Sequence, residues 1–291
     1  MVEESPDPMA ALPDWPARPT AATPLRLNTF LHNRVIGVPS SLTSPPPLAG
    51  SLASGIRPLR TRIGAAGAHA DGRPEGWLLP LGGALLVALP VFLQAPWVRL
   101  APFSAALFTA PLLMLALTLE SRRSQQWQTI GALLVGFSGS WLGGCLFWGW
   151  FRLHPLWHLP IEAFALPLAL GGLRGRWRLA ASFYLASLLG TACTDAVMAI
   201  TGVMRCWTGV LQAPIEQAPA LLQQAALQVL QPLPLAVTVL TGTGLSALCR
   251  CYWSHPDPAW RLGASAVATT LAVDGLFLAA ALWAPQLSGL I

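Results

Sequence analysis

From Trp77 onward the chain is a run of apolar stretches parted by short polar links, and no other feature narrows its choice of fold so far. The stretches cover residues 77–98, 101–119, 130–151, 156–173, 179–204, 232–248 and 262–283. A bilayer core of roughly 30 Å takes about 20 helical residues to cross. The pattern predicts an all-α, polytopic membrane helix bundle of about seven transmembrane helices. Composition agrees, with 54% of residues hydrophobic and 10% charged, whereas soluble domains carry roughly a quarter charged residues. The fourth stretch is the weakest. A helix that starts at Pro160, a residue suited to the first helical position, and ends at 173 would rise only about 21 Å.

Arginine decides whether that stretch crosses, because short loops on the cytoplasmic side carry the excess of basic residues. With seven crossings and the N-terminus inside, the inner side holds Arg57, Arg60, Arg62, Arg73, Arg122, Arg123, Arg174, Arg176, Arg178, Arg250 and Arg261, and the outer side only Arg99, Arg152 and Arg205. If the fourth stretch turned back, the later loops would change sides and the two tallies would balance. The expected topology is N-terminus cytoplasmic and C-terminus outside. The loop 205–231 then faces outward. Within it, 215–231 spaces Gln217, Gln224, Gln228 and Gln231 on one helical face, opposite Leu221, Leu222, Ala225 and Val229. That predicts one external amphipathic helix, with too little charge for anionic lipid to hold it.

Residues 1–76 are rich in Pro, Ala, Ser and Gly and are expected to form a disordered tail, leaving 77–291 as the transmembrane domain. Between Trp15 and Ala70 the tail carries arginines and no acid, the composition of a transit segment, and AGAHA at 66–70 resembles a processing site. No apolar core precedes that site, so a low-complexity extension is the plainer reading. The basic residues are all Arg and are spread in small groups, with no basic stripe for nucleic acid. Cys145, Cys193, Cys206, Cys249 and Cys251 form no C-x-x-C pair, and a zinc site or disulfide framework is not expected.

The stretch 147–167, FWGWFRLHPLWHLPIEAFALP, concentrates the residues with chemistry. In the expected topology Trp148, Trp150 and Trp157 lie at the outer headgroup level, where amphipathic rings are favoured. A belt of aromatic rings does not account for the acids. Glu162 opens the fourth segment, Asp195 lies deep in the fifth and Asp274 deeper in the seventh. At about 1.5 Å per residue all three reach the outer half of the bilayer, and His154 and His158 adjoin them. A carboxylate at helix centre costs about 2.5–3.5 kcal/mol to insert, so such residues face a bundle interior and mark a pathway, relay or ligand. The five are read as one polar intramembrane pocket. For each alone a plainer role exists: Glu162 can cap its own helix, and Asp195 can reach water.

Sharper motifs fail. His154 and His158 are separated by Pro155 and have no further His box, which argues against a diiron or seven-span zinc enzyme. Asp274 sits in AVDGLF, without the G-x-G-D of intramembrane aspartyl proteases. A neutral imidazole suits haem or pigment, but the sequence identifies no cofactor and no metal site. In GFSGSWLGG, Gly136, Ser140 and Gly144 share one helical face and Gly139 and Gly143 another, so the third segment is expected to pack closely on a neighbour.

The stretches VFLQAPWVRL (91–100), FSGSWLGGCLFWGWFRLHPLWHLPIEAFALP (137–167), ASFYLASLLGTACTD (181–195) and the closing VDGLFLAAAL resemble a family of cyanobacterial multi-pass membrane proteins known as a domain of unknown function. The resemblance spans the membrane part and stops at the tail. It implies a cyanobacterial or plastid-lineage origin and a place in the thylakoid or plasma membrane, and it assigns no catalytic residue. The expected function is a non-catalytic accessory or assembly component of photosynthetic or respiratory membranes, in contact with lipid and with other subunits of a complex. The alternative is a small-solute or proton-coupled transporter with an outward-facing carboxylate pocket.

Overall fold

A computed structural model describes residues 75–286. The tail, with its arginines and the AGAHA motif, lies outside the described residues. Six helical spans are long and apolar enough to cross a membrane: Trp77–Leu100, Pro102–Glu120, Gln125–Phe151, Arg178–Ile200, Pro232–Trp253 and Pro258–Trp283. The chain is a multi-pass helical membrane protein.

The first span joins α1 (Glu75–Leu89) to α2 (Ala95–Leu100) through a π-type turn at Pro90–Gln94. Pro90 cannot tolerate the carbonyl one turn behind it, and the wider turn relieves that clash. The Ala95 N–H accordingly bonds the carbonyl of Pro90, five residues back. α3 (Pro102–Leu107) and α4 (Thr109–Glu120) form the second span. α5 (Gln125–Leu146) continues into a second π-type turn at Phe147–Phe151.

The expected fourth helix is not one helix. Residues 155–172 are a 3₁₀ turn (Pro155–Trp157), α6 (His158–Glu162), another 3₁₀ turn (Ala163–Ala165) and α7 (Leu166–Gly172). The break falls where Pro167 would meet the carbonyl of Ala163 in a regular helix. The passage still crosses the bundle, as the helices on either side of it require. In α8 (Arg178–Ile200), Ala180 lies against Gly136 and Tyr184 against Gly139, while Asp195 and Phe147 both reach His158. α5 and α8 therefore run parallel, and the chain between them must return from one end of the bundle to the other.

After α8 come α9 (Trp207–Gln212), α10 (Ala218–Val229), α11 (Pro232–Trp253) and α12 (Pro258–Trp283). α12 starts on Asp257, whose Oδ1 accepts from Ala259 N at 3.0 Å, with Pro258 at the first helical position. α10 is the amphipathic helix expected over 215–231. Gln217, Gln224 and Gln231 are exposed as expected, but Gln228 turns inward and its Nε2 donates to Thr201 O at 3.0 Å. α8 ends there on Gly202, at φ 76°, and leaves carbonyls without intrahelical partners. Gln223 likewise donates to Leu282 O at 3.1 Å, so two glutamines cap neighbouring helices.

The Gln125–Phe151 span is 61% buried, against 6–22% for the other five, and is the central post. Phe137, Trp141, Phe183 and Leu262 form the core around it. The outer surface is apolar: Leu168 is 79% exposed and Leu240 75%. An apolar surface of this extent belongs in lipid. Arg176 pairs with Glu120 at 3.7 Å, and Arg178 pairs with Asp257. These contacts gather the links holding Arg122, Arg123, Arg174, Arg176 and Arg178 at one end of the bundle. At the opposite end Trp207 Nε1 donates to Arg152 O at 2.6 Å.

Candidate functional site

Two of the three expected carboxylates meet on one imidazole. His158 Nδ1 lies 3.0 Å from Asp195 Oδ1, and its Nε2 lies 3.3 Å from Glu162 Oε1. Glu162 follows His158 by one helical turn on α6, which puts the two side chains on one face. Asp195 comes from α8. The other Glu162 oxygen, Oε2, accepts from Thr191 Oγ1 at 2.9 Å. Each ring contact needs a proton, and a neutral imidazole supplies only one. A doubly protonated ring satisfies both contacts at once. These side chains are 15–19% exposed.

The break in the fourth passage is sealed by Tyr184. Its hydroxyl donates to Glu162 O and accepts from Ala165 N, the latter at 3.2 Å. Backbone that leaves the helical pattern at membrane depth is tolerated only when protein satisfies it. Tyr184→Phe should remove both bonds and cost about 0.5–1.5 kcal/mol for each. A melting curve of the detergent-solubilised variant checks this, and an unchanged midpoint would show that the hydroxyl is not needed.

Aromatic rings enclose the imidazole. Phe147 stacks on His158 with centroids 4.1 Å apart, and Trp148 and Trp207 stand at 6.3 and 6.4 Å. An aromatic face beside a ring that can carry charge adds a cation–π contribution. Asp274, on α12, is held separately: its Oδ2 lies 2.6 Å from Thr194 Oγ1. It opens on a cavity of about 400 Å³ between α8, α11 and α12. Thr194 is next to Asp195, so one turn of α8 serves both acids.

Against known proteins, the family described as "Protein of unknown function (DUF3120)" matches residues 83–282, most of the described chain. The chain belongs to the DUF3120 family. No curated protein and no solved structure matches it.

Within this DUF3120 chain the remaining expected residues fall as follows. His154 is exposed, and no side-chain bond ties it to His158 or the acids among the described residues. Trp150 and Trp157 are 42% and 57% exposed, whereas Trp148 is turned into the aromatic enclosure. Gly136, Gly139 and Gly143 meet Ala180, Tyr184 and Glu162, while Gly144 meets Gln94. Ser140 is half-buried. Among the described residues no three His, Cys, Asp or Glu groups are arranged to hold a metal ion.

Sequence reasoning passed over Thr191, Thr194, Tyr184, Phe147, Trp207 and Gln94. Thr191 stands four residues before Asp195, hence on the same helix face, and that spacing was the available signal. Gln94 is 3% exposed and bonds Cys145 Sγ at 2.9 Å and the carbonyl of Trp141. A glutamine inside an apolar span was a signal in itself.

Proposed function

We propose that this protein is a proton-coupled transporter of a small solute, with His158, Glu162 and Asp195 as its proton-handling group. The observation that carries the reading is the imidazole with a carboxylate against each nitrogen, placed beside a break in a helix and one residue along α8 from the side chain that holds Asp274. Buried groups that share fewer protons than they have acceptor positions can change protonation without large rearrangement. Intramembrane acids and histidines in such chains commonly serve proton relays. The arginine-rich end is the cytoplasmic side under the rule for short loops, which puts the proton group in the outer half of the bilayer. A reporter fused after Arg178 that faced the periplasm or lumen would overturn this orientation.

The test uses the full chain reconstituted into liposomes loaded with a pH-sensitive dye, to which candidate solutes are added one at a time. A solute-dependent internal pH change, absent from His158→Gln vesicles, is expected. Normal proton movement in His158→Gln would sink the reading.

A second reading has its own support. An accessory or assembly component of a photosynthetic or respiratory complex, in a cyanobacterial thylakoid or plasma membrane, fits the motif resemblance. It also fits the α11 span, which is only 6% buried and carries the exposed Gly244 with open space beside it. Small residues on a lipid-facing helix let another helix approach closely. Co-purification with a large complex, lost on Gly244→Leu, distinguishes this reading.

A further inference from the structure

The cavity beside Asp274 has a composition that selects its ligand. It holds about 400 Å³ and is bounded by α8, α11 and α12, with Val197, Leu245, Leu271 and Leu278 among its walls. Asp274 is the only charged residue among the described residues that line it. Its Oδ2 is bonded to Thr194, while no described residue bonds Oδ1. Two of the threonines that line the cavity do not offer free hydroxyls: Thr238 Oγ1 donates to Pro234 O at 2.9 Å and Thr270 Oγ1 to Ala266 O at 3.2 Å. Threonines bonded back to their own helix have little left for a polyhydroxylated ligand.

We infer that this cavity binds a monovalent organic cation with an apolar body, such as a substituted ammonium, through Asp274. A single carboxylate in apolar walls compensates one positive charge and repels anions. A doubly charged ligand would leave one charge uncompensated away from water, at high cost. The volume falls in the range of pockets that enclose small organic ligands, and such pockets combine mostly apolar walls with few, well-placed polar groups. Asp195 is the neighbour of Thr194, whose hydroxyl holds Asp274, so cation binding and the proton group would influence each other. The inference rests on the transport reading only for what binding accomplishes; the site itself stands on the cavity and its one charge.

The experiment is equilibrium binding of radiolabelled benzyltrimethylammonium to the full chain in lipid nanodiscs, with unlabelled benzenesulfonate as the anionic control. Wild type should bind the cation saturably without competition from the anion, and Asp274→Asn should bind at least about tenfold more weakly, a loss of about 1.4 kcal/mol. Asp274→Glu should keep binding. If Asp274→Asn fails to give a monodisperse protein, Gly242→Phe carries the test. A Cβ at Gly242 meets nothing within 4 Å, so a larger side chain can be introduced on the wall of the cavity that Gly242 lines. Binding should then vanish with the carboxylate intact. No saturable binding by wild type, unchanged binding in Gly242→Phe, or equal competition by benzenesulfonate would each overturn the inference. Cation binding without proton movement in liposomes removes the transport reading and leaves this site. Proton movement without cation binding does the reverse.

Discussion

Replacing His158 with Ala should lower the stability of the solubilised protein by about 3–5 kcal/mol, the usual result of removing one partner from a buried ion pair. That corresponds to a melting midpoint about 10 °C lower for a chain of this size. The size of the effect follows from what is left behind. Glu162 and Asp195 each lose a contact of 3.3 Å or less and remain as two acids around an empty volume. Phe147 also loses the ring stacked on it at 4.1 Å. A triple variant separates structure from function. His158→Leu with Glu162→Gln and Asp195→Asn removes every charge, while the new amide oxygen on α6 can still accept from Thr191. An apolar replacement of a buried charged group is often neutral or stabilising. This variant should recover most of the lost midpoint and none of the proton movement. If His158→Ala melts where wild type does, the imidazole is not held between the two acids.

What the sequence made legible here divides along physical lines. The six long spans are local: length and hydropathy suffice, although the last is read from residue 262 and the Asp257–Pro258 pair starts α12 earlier. The fourth passage is different, because Pro160, Pro167 and Gly172 break any local helix rule. Its crossing was readable only through arginine placement, which is a property of the whole chain. Helical rise set Glu162, Asp195 and Asp274 at a common depth, since depth is a count of residues. Which partner each acid takes depends on the rotation of each helix about its axis, and that is fixed by close packing elsewhere. So Thr194 holds Asp274 apart while His158 collects the other two, and nothing in the residue order announces it. Trp148 shows the same division. A belt ring and a ring enclosing His158 lie at the same depth, and only the turn of backbone at Phe147–Phe151 separates them.

Gly136 is one place where the rotation of α8 against α5 is set, and Gly136→Leu should be strongly disruptive. A Cβ there would lie 2.4 Å from Ala180 O and 3.0 Å from Ala180 Cα. The obstacle is backbone on a 23-residue helix, so no side chain can swing aside and α8 must move as a body. Overpacking of this kind costs about 1–3 kcal/mol or more. The displacement also reaches the site, because Tyr184 stands one turn along α8 from Ala180 and its hydroxyl closes the break at Glu162 and Ala165. Gly136→Leu should therefore lower the melting midpoint and abolish proton movement together, whereas Gly171→Ala, with open space at its Cβ, should leave both near wild type. Gly144→Ala should fall between them, since the atoms it meets are the end of the Gln94 side chain. If Gly136→Leu is as stable and active as Gly171→Ala, α5 and α8 do not pack in parallel through this contact. The return passage between them would then have no reason to cross the bundle.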